Sequence, residues 1–200
     1  MDWTLETKAR EQGCQTVCGC DEAGAGPLAG RVYAAAVILP DGLQLPYLND
    51  SKKVTPKRRD VLYGQICEQA VSWAVAWAEP DEIDELDILN CRILAMQRAI
   101  DQLSVKADYA LIDGNRDHGS RISITTAHET VIGGDGVSPS IAAASILAKV
   151  SRDRYMEEMA ELYPEYEFSR HKGYPTKRHY ELLREFGPCP IHRRSFLKKI

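Results

Sequence analysis

Two hundred residues are enough to bury one sizeable hydrophobic core. A chain that is 44% apolar and 27% charged is a folded globular protein, not a disordered or fibrous one. Its net charge of -4 excludes a uniformly basic nucleic-acid coat, and no apolar run reaches the length of a membrane span.

The charge is unevenly spread. Residues 79–87 carry six acids and no base, while residues 170–199 carry nine Lys or Arg and two acids. This predicts a basic C-terminal surface near an acidic site. The six cysteines, at 14, 18, 20, 67, 91 and 189, form no repeated CxxC pair and lack zinc-site spacing. With no signal-peptide pattern at the start, they fit a reduced, cytoplasmic protein.

In chain order, residues 2–12 read as a short polar helix ended by Gly13. Val17 to Cys20 is too short for a helix and fits a strand, which stops at the adjacent acids Asp21 and Glu22. Glycines at 24, 26 and 30 predict a tight turn, and Val32 to Leu39 a neighbouring strand. Acids and glycines there are either ordinary turn residues or a site. As a site, Asp21 would hold a metal and backbone N–H groups would face a polyanion or a sugar hydroxyl. The glycine spacing matches neither the dinucleotide fingerprint nor the phosphate loop, so NAD and ATP are not signalled.

LNDSKK at 48–53 is a polar loop before a helix from Pro56 to about Ala70, with Val61, Leu62, Ile66 and Ala70 inward. Residues 71–78 read as a third strand. Residues 84–103 read as one long helix that buries Leu86, Leu89, Ile93, Met96, Ala99, Ile100 and Leu103 and turns Asn90 and Arg98 elsewhere. A strand from Tyr109 to Ile112 ends at Asp113, again an acid at the carboxyl end of a strand, where α/β proteins place their sites. Short extended pieces near Ile122, Ile124 and Val131 precede the flexible Gly133–Gly136 loop. A helix from Ser138 to about Ala160 follows, with Ser138 as cap and alanines 142–144 allowing close packing. The tail holds HKGYPTKRHY at 171–180 and HRRSF at 192–196. With no repeat or low-complexity linker, residues 1–200 read as one domain.

These motifs together resemble the bacterial ribonuclease HII (type 2 ribonuclease H) family over almost the whole chain. They are CDEAGAGPLAG at 20–30, LNDSKK at 48–53, IDGN at 112–115, GGDGVSPSIAAASILAKVSRD at 133–153, HKGYPTKRH at 171–179 and HRRSF at 192–196. The resemblance implies an α/β ribonuclease H-like fold with a mixed five-stranded sheet, flanking helices and a helical C-terminal extension. It implies a metal-dependent endoribonuclease that hydrolyses the RNA strand of RNA/DNA hybrids and incises 5′ to ribonucleotides embedded in duplex DNA. Asp21, Glu22, Asp113 and Asp135 match the family's four acidic positions, the expected catalytic residues and ligands for two Mg²⁺ or Mn²⁺ ions.

The resemblance further implies that the backbone of Gly24, Ala25 and Gly26 reads the ribose 2′-OH and that Tyr174 sits near the sugar. Ser51, Lys52, Ser138, Ser140, Lys149, His171, Lys172 and Arg193 are candidate phosphate contacts, and the helix start at 138–141 a candidate anion site. Asp153, between Arg152 and Arg154, is the local rival of Asp135 and reads as an ion-pair residue. Two positions depart from the family pattern, Ala25 in place of arginine and Gly133 in place of lysine. A catalytically silent hybrid-binding protein is the competing reading. The related type 3 enzymes carry an additional N-terminal domain, for which the sixteen residues before the first strand leave no room. The protein is expected to be monomeric and to bind no membrane.

Overall fold

The computed structural model describes residues 1–198, so the last two residues of the expected C-terminal extension lie outside the described residues. Five strands form one sheet in the order β3-β2-β1-β4-β5. β1 (Val17–Ala23), β2 (Val32–Ile38) and β3 (Ser72–Ala78) make an antiparallel meander. β4 (Tyr109–Asp113) and β5 (His128–Val131) run parallel to β1. The predicted mixed sheet is therefore present. β1 is longer than its apolar run suggests, because pairing with β2 continues through Asp21, Glu22 and Ala23.

Side chains alternate across a strand, and this alternation sorts the two cores. Cys18 and Cys20 of β1, with Ala110 and Ile112 of β4, pack against α4 (Ile88–Asp101). On the opposite face Val17 and Leu111 meet Ile141 of α5 (Pro139–Leu162), and β2 residues Ala35 and Val37 meet the same helix and α2 (Pro56–Gln69). α5 lies against β1 so closely that a Cβ on Gly19 would overlap the backbone of Ser140. The small residues 142–144, all buried, permit that approach.

Three sequence expectations are corrected. The stretch 84–103 is broken, giving α3 (Pro80–Leu86) and α4, with Asp87 between them at φ 71. Asp87 caps α4 by accepting from the N–H of Asn90 at 2.9 Å. Asn90 itself is buried: its amide donates to Leu86 O and Ser120 Oγ and its oxygen accepts from Arg121 and Ile122 N–H, tying down the loop after β4. Val61 on α2 is exposed, since the buried face centres on Leu62 and Ile66.

The C-terminal segment, with α6 (Phe168–His171) and α7 (Lys177–Phe186), packs Phe168, Leu182 and Leu183 against Tyr155 and Met156 of α5 and against Leu28 and Ala29 of the β1–β2 loop. The chain's end is thereby brought back to its first hairpin. Among the described residues no helix is long and apolar enough to cross a membrane.

Candidate active site

β1 and β4 run side by side, with Cys20 registered on Ile112. One step further along both strands lie Asp21 and Asp113, on the face that carries Val17 and Leu111. Glu22 points to the other face, where α4 supplies Arg92 at 2.5 Å. Asp135 arrives on the short 3₁₀ turn Gly134–Gly136 and donates its N–H to Asp113 Oδ1 at 3.2 Å. The four acids predicted from sequence are thus gathered at one end of the central strands.

Their electrostatics are unfavourable without a cation. Burial, then the charges of Glu22 and Asp113, push the Asp21 carboxyl well above its usual range. Burial also raises Glu22, opposed by Arg92, and burial with Asp113 and Asp50 raises Asp135. Glu22 Oε2 is buried without a hydrogen-bond partner. Among the described residues no group of three or more His, Cys, Asp or Glu side chains is placed to hold a metal ion. The donors are all hard carboxylate oxygens, however, and an orphaned buried oxygen among raised carboxylates fits Mg²⁺ or Mn²⁺.

Lys52 stands beside this cluster. Burial works against its ammonium, but Asp50, Asp135, Asp21 and Asp113 outweigh it and raise its pKa. Its loop is held from below: Ser51 O and Val54 O accept from Arg59, and Ser51 Oγ accepts from Ser145 of α5 at 2.9 Å. Ser51 is buried in that role. Asp50 lies within reach of Asp135 and accepts from the N–H of Lys52. Asp50 carries no signal of its own in the sequence beyond its place in LNDSKK. Arg92 gave no local signal at all, because its partner lies 70 positions away in sequence.

Next to the acids, the Gly24–Gly30 loop and Tyr174 are also brought together. Gly24, at φ 94, has no space for a Cβ because the Arg152 side chain runs directly beneath it. The same guanidinium lies 5.5 Å from the Tyr174 ring, which is partly exposed. Ala25 and Gly26 form the accessible crest of the loop. A separate cleft of about 510 Å³ lies between α2 and α5, with Arg59, Lys149, Arg154 and Lys172 among its lining. Lys149 pairs with Asp153 at 2.6 Å and Lys172 with Glu157. Asp153 also faces Arg59 at 3.8 Å, so it is an ion-pair residue as expected, though not with its sequence neighbours.

Four candidate phosphate contacts are corrected. Ser138 is buried, and its hydroxyl donates to Glu6 Oε1 at 2.6 Å; the N–H of Ser140 donates to the same oxygen at 3.1 Å. The start of α5 is therefore already occupied by a carboxylate from α1 (Thr4–Glu11) and is not an open anion site. His171 is buried between Tyr166 O and the Gly173 N–H. Arg193 is fully buried and binds backbone carbonyls.

A mixed five-stranded sheet whose central parallel strands end in carboxylates, with helices on both faces, defines an α/β nuclease of the ribonuclease H-like fold. The chain belongs to the ribonuclease HII family, whose model matches residues 18–199. It is 51% identical over 180 residues to the ribonuclease HII of Idiomarina loihiensis, covering 90% of this chain and 94% of that one. Among solved structures it is similar to the ribonuclease H2 of Pyrococcus horikoshii, with a TM-score of 0.73 and 25% identity over 90% of this chain and 93% of that one. It is likewise similar to the RNase HII of a PCNA:RNase HII complex from Archaeoglobus fulgidus, with a TM-score of 0.71 and 28% identity over 90% and 94% of the two chains.

Proposed function

We propose that this chain hydrolyses the RNA strand of RNA/DNA hybrids and incises on the 5′ side of ribonucleotides in duplex DNA, leaving 3′-hydroxyl and 5′-phosphate ends. The observation that carries this reading is the gathering of Asp21, Glu22, Asp113 and Asp135 at one end of β1 and β4, where burial and neighbouring carboxylates raise Asp21, Glu22 and Asp135. These four would hold two Mg²⁺ or Mn²⁺ ions, which when bound activate the attacking water and stabilise the leaving 3′ oxygen. Glu22 is kept in place by Arg92 and Asp135 by its N–H bond to Asp113.

The remaining residues bind and orient the substrate. The crest at Gly24, Ala25 and Gly26 faces a ribose hydroxyl, which DNA lacks, and Tyr174 takes the adjoining sugar. Lys52, Lys149 and Lys172 meet phosphates, the last two by exchanging their carboxylate partners for the backbone of the duplex. The protein acts in the cytoplasm as a monomer and as one domain.

The test is cleavage of a labelled RNA/DNA hybrid with Mg²⁺ or Mn²⁺, alongside duplexes holding one ribonucleotide, four, or none. Cutting that stops with EDTA, leaves 3′-hydroxyl ends and spares the all-DNA duplex is expected. Binding without cutting would make the chain a silent hybrid-binding protein, and a 2′,3′-cyclic phosphate end would remove the two-metal proposal.

A further inference from the structure

Arg193 is separated by more than 160 residues from the β1–β2 loop, yet every polar atom of its side chain is spent on it. Nε donates to Gly30 O at 2.8 Å, Nη1 to Ala25 O at 2.9 Å and Pro27 O at 2.8 Å, and Nη2 to Gly24 O at 2.7 Å. Its own N–H donates to Leu28 O. Arg152, equally buried, adds bonds to Ala29 O, Arg31 O and Lys172 O. Among the described residues neither guanidinium has a carboxylate within ion-pair distance, so the loop carbonyls are their principal counter-dipoles.

In a trans peptide the N–H points away from the C=O of the same unit. With Gly24 O and Ala25 O drawn inward, the N–H groups of Ala25 and Gly26 must point outward. Both residues lie on the accessible crest, and among the described residues neither N–H has a backbone acceptor. Two adjacent outward donors backed by a buried cation fit an acceptor oxygen of a nucleotide.

We propose that Arg193 is the positioning residue of this loop, setting the Ala25 and Gly26 N–H groups against the ribose 2′ oxygen and so fixing the preference for ribonucleotides over DNA. The proposal rests on the function argued above. Arg193 touches no substrate; it acts through the backbone it holds. A lysine at 193 keeps the charge but has one nitrogen in place of a planar fork, and cannot reach the four carbonyls together.

The experiment compares affinity for a duplex with one ribonucleotide and for the same duplex in DNA, with Ca²⁺ replacing Mg²⁺ to suppress cutting. Arg193→Lys, checked for folding by circular dichroism, should lose about tenfold of that preference, the scale of one well-made hydrogen bond. A folded variant with its preference intact overturns the positioning role. Should Arg193→Lys not fold, amide resonances of the unaltered protein decide. The Ala25 and Gly26 signals should move with the ribonucleotide duplex and stay still with DNA, and equal response to both duplexes overturns the proposal. If the unaltered protein shows no preference at all, it is the functional reading that fails, and the loop assignment falls with it.

Discussion

At the scale of single residues, Asp21 carries the sharpest conflict between stability and chemistry. Its pKa is raised by burial and by Glu22 and Asp113, so the folded chain holds that proton more tightly than the unfolded one. The stabilising effect of protonation is present below the unfolded value near 4 and is lost as pH rises through the folded one. At neutral pH and without metal, the carboxylate therefore destabilises the fold. Asp21→Asn should abolish hydrolysis and yet raise the melting temperature in EDTA by roughly 2–4 °C, the shift expected from about 1 kcal/mol in a domain of this size. Added Mg²⁺ should stabilise the parent more than the variant. A variant that melts lower than its parent in EDTA would count against the frustrated-carboxylate account. Ala25 offers a second residue-level test. Its side chain sits on the open crest, so Ala25→Arg should reach a phosphate and tighten duplex binding by about 1 kcal/mol, with a steeper loss on adding salt. Flat affinity and an unchanged salt slope in a titration would refute that. Most of the acidic site was legible in sequence because Asp21, Glu22 and Asp113 follow short apolar runs. Arg92, Arg152 and Arg193 were not, because a buried arginine is recognised by partners that only the fold brings near.

At the scale of elements, α5 organises the site from beneath, and its N-terminus is closed by Glu6 from α1. The carboxylate takes the Ser138 hydroxyl and the Ser140 N–H and complements the positive end of a 24-residue helix. Glu6→Ala would strand both donors and cost roughly 2 kcal/mol in urea unfolding, whereas Glu6→Gln keeps an accepting oxygen and should cost less. Equal losses for the two would show that packing, not capping, is what Glu6 supplies. Ser138 was readable as a cap, since it follows Val137 and precedes Pro139; its second partner was not, because Glu6 lies 132 positions away. The break at Asp87 escaped the helical periodicity for a different reason. The apolar spacing runs on across it, while the left-handed backbone there is set by the capping bond to Asn90.

At the scale of the whole molecule, a relay of imidazoles joins the C-terminal segment to the backbone of Tyr174. The Cys189 N–H donates to His192 Nδ1, which leaves the His192 proton on Nε2 to meet His179 Nε2 at 3.0 Å. His179 then donates from Nδ1 to the carbonyl of Tyr174. Burial pushes both rings down to about 4, below the 6.5 of the unfolded chain. Because the unfolded state takes up these protons first, the contribution of the two rings should be full above about pH 6.5 and decline as pH falls toward 4, opposite in sign to that of Asp21. Urea midpoints at pH 7 and pH 5 check this by comparing the parent with His179→Gln, which keeps the carboxylate contribution; the parent should lose more stability on acidification than the variant, and equal losses would refute the buried-neutral relay. The bonds from Arg193 to the first loop span 163 to 169 positions. A growing polypeptide thus delivers all four acids, the last at residue 135, well before the arginine that holds the loop is synthesised. On the proposed function, the residues that would hold the metal ions are made first, and the one that would set the loop against the sugar is made much later.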